Sequence, residues 1–78
     1  MASHASAEQD RRLLEALRTG PTTTIEAAIG LDIVHPPSTI RRLRKYGHNI
    51  VTHWTYQATE SGRPPHRVAK YVLLQEAA

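Results

Sequence analysis

The chain has no cysteine and no phenylalanine, a single tryptophan, and no apolar run of membrane-spanning length. Without cysteine there is neither a disulfide nor a thiolate zinc site, so neither staple supports a fold this small. A membrane helix needs roughly 20 apolar residues in succession. Residues 1–6 lack the basic-then-apolar layout of a secretion signal. The expectation is a soluble cytoplasmic protein with no membrane partner. Aromatic residues make up 5% of the chain, so the core must rest on Leu, Ile and Val. The 78 residues suffice for one such core and not for two.

Acidic charge is scarce in one half only. Residues 1–35 carry three Arg against five carboxylates, whereas residues 36–70 carry seven Lys and Arg against Glu60 alone. The net charge of +3 therefore conceals a strongly basic second half. Segregated positive charge attracts polyanions and steers their approach. The plainer reading is a solvated surface that happens to be basic.

Signs of catalysis are also missing. Ser and Thr are plentiful, but no nucleophile–base–orienter set is suggested, and no Gly-rich phosphate loop exists. Glu8, Asp10 and Glu15 are spaced for a solvated helix face. The five histidines show no zinc spacing. We expect no enzyme, no cofactor and no metal. His48 follows a Gly stop, where its side chain can bond the last helix carbonyls. His35 has two open roles, a helix cap or a phosphate contact.

What is present is a set of helix and strand signals. Ser6 and Gln9 form a capping box that opens a helix over 7–19, with Leu13, Leu14 and Leu17 as its apolar stripe and Gly20–Pro21 as its stop. Thr22–Thr24 can make a brief extended segment. Thr23 and Glu26 form a second capping box, opening a short helix over 24–29 with Ile25, Ala28 and Ile29 as its apolar side. Pro36 or Pro37 suits the first turn of a third helix over 36–46, and Gly47 suits the position just past its end. At about 100° per residue, Ile40 and Leu43 fall beside Pro36 on an apolar seam. Ser38, Arg41, Arg42 and Lys45 fall opposite. A small helix with such a seam and a cationic outer face is what a DNA major groove accepts. A short helix, a Gly-containing turn and a basic helix give the helix-turn-helix order; a plain three-helix bundle is the alternative.

The last third reads as strand. Ile50 to Tyr56 is dense in β-formers, with Ile50, Thr52, Trp54 and Tyr56 on one face. Residues 61–65 are turn material, and 68–74 make a second strand. A hairpin alone is marginal, so Ile50, Tyr71 and Leu73 are expected to face inward. The predicted class is α+β: a winged helix-turn-helix of three short helices followed by a two-stranded β-hairpin wing. It would occupy residues 7–74, with loose ends at 1–6 and 75–78.

Three motifs carry a resemblance: Ile40, Leu43 and Arg44 in the third helix; Gly47–His48–Asn49–Ile50 after it; and Val68–Ala69–Lys70–Tyr71–Val72–Leu73 in the last strand. They resemble the Ile-x-x-Leu-Arg, Gly-His-x-Ile and Val-Ala-x-Tyr-x-Leu pattern of a family of small winged helix-turn-helix domains common in bacteriophages, prophages and bacteria. The likeness covers roughly residues 10–74. One departure is Pro36–Pro37, where the family carries one Pro or none; it could displace the helix start by a residue.

In such a fold the start of the third helix reaches deepest into a groove. Ser38, Thr39, Arg41 and Arg42 are thus the base-reading candidates, and Lys45 a phosphate contact. Arg44 lies beside the seam and is left with two roles, phosphate contact or a brace for the core. Arg63, His66 and Arg67 on the wing would meet a neighbouring groove or backbone, or else form a solvated basic loop. The resemblance implies a duplex-DNA-binding protein, a transcriptional regulator or accessory factor of a phage or prophage. A single module this small would bind weakly, so a homodimer, neighbouring copies on DNA, or another phage or bacterial protein is expected as partner. The alternatives are a protein-interaction module using the same basic surface and a DNA-bending excision or architectural factor.

Overall fold

A computed structural model describes residues 6–58 and 62–74. The loose ends over 1–5 and 75–78, and Ser61 of the wing turn, lie outside the described residues. The elements are α1 (Ser6–Thr19), β1 (Thr22–Thr23), α2 (Thr24–Gly30), α3 (Pro36–Lys45), β2 (Ile50–Gln57) and β3 (His66–Leu73).

The first helix keeps its predicted extent but not its predicted start. It already includes Ser6, and Gln9 is buried. The Gln9 side-chain oxygen accepts the Val34 N–H at 3.0 Å, from the turn between α2 and α3. Gln9 thus serves the turn, giving the Val34 amide an acceptor. Arg12 reaches the same turn, donating to the Leu31 carbonyl at 2.8 Å and the Asp32 carbonyl at 3.0 Å. Asp32 stands at φ +53°, a left-handed conformation that Asp tolerates better than most residues.

The second capping box is present. Thr23 Oγ1 accepts the Glu26 N–H at 3.1 Å, and Glu26 Oε1 accepts the Thr23 N–H at 2.9 Å. The face of α2 differs from expectation. Ala27 is fully buried and Ile25 half-buried, while Ala28 and Ile29 face solvent. The reason lies just upstream. Thr22 and Thr23 pair with Tyr71 and Lys70 as a third, two-residue strand, so the sheet order is β1-β3-β2, all antiparallel. That pairing sets the phase at which α2 leaves the sheet, and a helix of seven residues has too little apolar surface to turn against it. The Thr24 hydroxyl donates to the Ala69 carbonyl at 3.4 Å and lies 3.3 Å from the Tyr71 hydroxyl, tying α2 to β3.

The core joins all these pieces: Leu13 and Leu17 of α1, Ala27 of α2, Ile33 of the following turn, Ile40 and Leu43 of α3, Ile50 of β2, and Ala69 and Tyr71 of β3. Leu73 packs against its edge. The inward set expected for the hairpin is therefore found, with Ala69 added. Of the chain's four aromatic residues, only Tyr71 is in the core. No buried side-chain nitrogen or oxygen among the described residues lacks a hydrogen-bond partner. No helix among them is long and apolar enough to cross a membrane, and no group of three or more His, Asp or Glu among them is placed to hold a metal ion.

Candidate nucleic-acid interface

Helix α3 begins at Pro36 with both prolines in its first turn, where the missing N–H groups would have no helical acceptor. The His35 carbonyl takes the first available donors, Ser38 N–H at 3.0 Å and Thr39 N–H at 3.3 Å. The double proline therefore does not shift the helix: Pro36, Ile40 and Leu43 are buried together. His35 occupies the N-cap position, and its Nδ1 lies 2.7 Å from the Ser38 hydroxyl, so the ring orders the outward serine.

The helix stops with two reverse-turn bonds, Gly47 N–H to the Arg44 carbonyl at 3.0 Å and His48 N–H to the Leu43 carbonyl at 3.1 Å. Gly47 sits at φ +101°. These are the two bonds of the glycine-ended helix stop. His48 thus contributes its backbone amide to the end of the helix.

The cations of α3 are divided in a way the spacing alone did not show. Thr39, placed on the outward face by the sequence reading, is 1% exposed. It lies about 60° around the helix from Pro36, and a buried helix stripe spans about 100° or more, so Thr39 belongs to its edge. Arg42 follows it one turn later on the same side. Its Nε donates to both Asp10 carboxylate oxygens, at 2.9 and 3.1 Å, and its Nη2 lies 2.8 Å from Asp10 Oδ1. Nη2 also donates to the Thr39 hydroxyl at 3.2 Å. The Asp10 hydrogen bond raises the Arg42 pKa further above its ordinary value. Arg42 is engaged in an α1–α3 tie instead of standing free on the outward face, and Asp10 is buried in that tie and not part of a solvated face.

Arg44 takes the bracing role, though against the wing. Its Nε donates to the Ile50 carbonyl at 2.9 Å and its Nη2 to the Thr52 hydroxyl at 3.0 Å. Arg41 and Lys45 are exposed and make no hydrogen bond or ion pair with any described residue. Together with Ser38 they form the outward face of α3.

On the wing, Trp54 pairs with Ala69 and Tyr56 with Arg67 across the hairpin. Arg67 lays its guanidinium 4.3 Å above the Trp54 ring centroid, a cation–π contact. His66 and Arg63 are exposed nearer the tip. An open groove of about 380 Å³ separates α3 from the wing. Arg41 and Arg44 line its helix side, and Thr52 and Trp54 its wing side.

The structure therefore brings together Arg41, Arg44 and, through its stack on Trp54, Arg67. It places Ser38 and Lys45 on the adjoining helix face, leaves Arg63 and His66 farther out on the wing, and removes Thr39 and Arg42. Three residues were given no part in the site by the sequence reading. Trp54 and Tyr56 continue the inner face of β2 past the point where the core ends, a consequence of strand alternation that four residues on one face already implied. Asp10 shares one helix stripe with Leu13 and Leu17, and a carboxylate on an apolar stripe is a sign that a cation meets it there.

A family model described as a winged helix-turn-helix domain matches residues 8–76. No curated protein and no solved structure matches the chain.

Proposed function

The chain belongs to the winged helix-turn-helix domain family, and from that premise we propose that it binds duplex DNA by laying the outward face of α3 in the major groove. The observation that carries it is the pair of exposed, unpartnered cations Arg41 and Lys45, beside Ser38, on a helix whose other cations are held. Arg41 stands near the N-terminal half of α3, where a recognition helix meets base edges. Lys45, a turn farther on, is a point charge suited to phosphate. The wing brings Arg63, His66 and Arg67 to the neighbouring backbone. The role is a binding one and not enzymatic, that of a regulator or accessory factor acting on DNA, with a second copy supplying affinity that one small module lacks.

The test is a titration of random-sequence duplex DNA with the folded protein at two salt concentrations. Binding at low salt that weakens steeply at the higher concentration supports the reading. A folded protein that fails to bind at low salt overturns it.

A further inference from the structure

Trp54 is 59% exposed and Tyr56 is 72% exposed, in a chain that has only four aromatic residues. Both lie on the inner face of β2, the face that buries Ile50. The register explains how they come to be bare. Past the Trp54–Ala69 pair the hairpin outruns the core, and Tyr56–Arg67 is the next inner pair toward the tip. Two large rings are thus left on a surface that no element covers.

The chemistry around Trp54 is specific. Arg67 covers one face of the ring, which fixes its orientation. Arg41 and Arg44 stand on the opposite wall of the groove, and none of the residues that line it is acidic. Pro37, Thr52 and Ala69 complete its surface. A flat apolar ring set among three guanidinium groups complements a ligand that is itself flat, aromatic and flanked by anions. A paired base cannot offer its face, because both faces are stacked inside the helix. An unpaired nucleotide can.

We propose that the groove between α3 and the wing is a site for an unpaired nucleotide, whose base stacks at Trp54 while its phosphates meet Arg41, Arg44 and Arg67. The inference rests on the duplex reading above and deepens it: the preferred ligand is a duplex that carries an unpaired segment. Stacking of bases on aromatic side chains depends little on sequence, because every base has a π-face. The site therefore recognises the structure of the DNA and not its sequence.

Trp54 is the only tryptophan, so its fluorescence reports on the site directly. The experiment titrates the full chain with a blunt duplex and with the same duplex bearing a single-stranded thymidine extension. The extended duplex is expected to bind about tenfold tighter or better and to quench Trp54 emission. In Trp54→Ala the preference disappears; in Trp54→Phe, which keeps a flat ring, most of it remains. Equal binding of both duplexes with unchanged Trp54 emission overturns this inference and leaves the duplex reading standing, and so does a preference that survives in Trp54→Ala. Binding of the extended duplex alone supports the unpaired-nucleotide site while overturning the duplex reading. Binding of neither, with the chain shown to be folded, overturns both.

Discussion

Arg41 and Arg42 are neighbours in sequence with opposite surroundings. Arg42 folds back onto Asp10 of α1, whereas Arg41 stands in solvent at the mouth of the groove. Removing Arg42 leaves the largely buried Asp10 carboxylate without its cation and costs about 1.5–3 kcal/mol of stability, the range for hydrogen bonds to charged groups. Removing Arg41 changes stability by no more than about 0.5 kcal/mol, as for ordinary surface sites. It removes about 1–3 kcal/mol of duplex affinity where Arg41 reads a base. Urea unfolding and duplex titration of Arg41→Ala and Arg42→Ala, run side by side, measure this crossing pattern. Loss of binding without loss of stability in Arg42→Ala would contradict the division of the two cations.

At the level of elements, each helix depends on a small number of terminal contacts. Gly47 ends α3 at φ +101°, and a Cβ there would meet nothing within 4 Å, so the cost of Gly47→Ala is that of the backbone alone. A left-handed conformation costs an L-residue about 1–2 kcal/mol, and the denaturation midpoint should fall by a corresponding amount. Thr23→Ala removes one half of the α2 capping box and is expected to cost about 1 kcal/mol. On α1, hydrogen bonding from Arg11, with further charge attraction from Arg12, holds the Glu8 carboxyl below its ordinary value of 4.5. Its pKa is lower folded than unfolded, so its stabilisation is complete above the unfolded value and disappears as pH falls through the folded one. The melting temperature of the wild type should exceed that of Glu8→Gln at neutral pH, and the difference should close as pH falls below 4.5.

The same scale shows what was legible in advance. Prolines at the start and glycine at the end delimit α3 because both act locally, through one residue's φ and one missing donor. The α2 capping box was readable for the same reason. The extended segment at Thr22–Thr23 was readable but its pairing was not, because two threonines have no period; their role comes from β3, dozens of residues later. Arg42 was misplaced because its partner is Asp10, and Thr39 because it lies beside Arg42 at the edge of the buried stripe; only the packing of α1 on α3 decides which of four neighbouring cations Asp10 meets. The groove was invisible for a related reason. Strand alternation puts Trp54 and Tyr56 on the inner face, but only the packing of the helices on the hairpin determines where that face stops being covered.

Across the whole molecule the charge is polarised, and the fold sharpens the polarity that composition already shows. Arg11 and Arg12 are paired with Glu8 on α1, and Arg42 is paired with Asp10. Arg41, Arg44, Lys45, Arg63 and Arg67 lie on α3 and the wing, the surface that would meet DNA. Each phosphate neutralised releases condensed counterions, and log K falls with log salt at a slope of about −0.9 per contact on duplex DNA. About five contacts give a slope near −4.5, so raising salt from about 50 to about 200 mM should weaken binding by roughly 10²–10³-fold. Lys45→Ala should make the slope shallower by about 1, since it deletes one phosphate contact. Arg42→Ala should leave the slope where it is, because the cation it removes is already matched by Asp10 inside the protein. A slope that drops equally in both variants would mean that Arg42 leaves Asp10 when DNA arrives, and that the α1–α3 tie opens on binding.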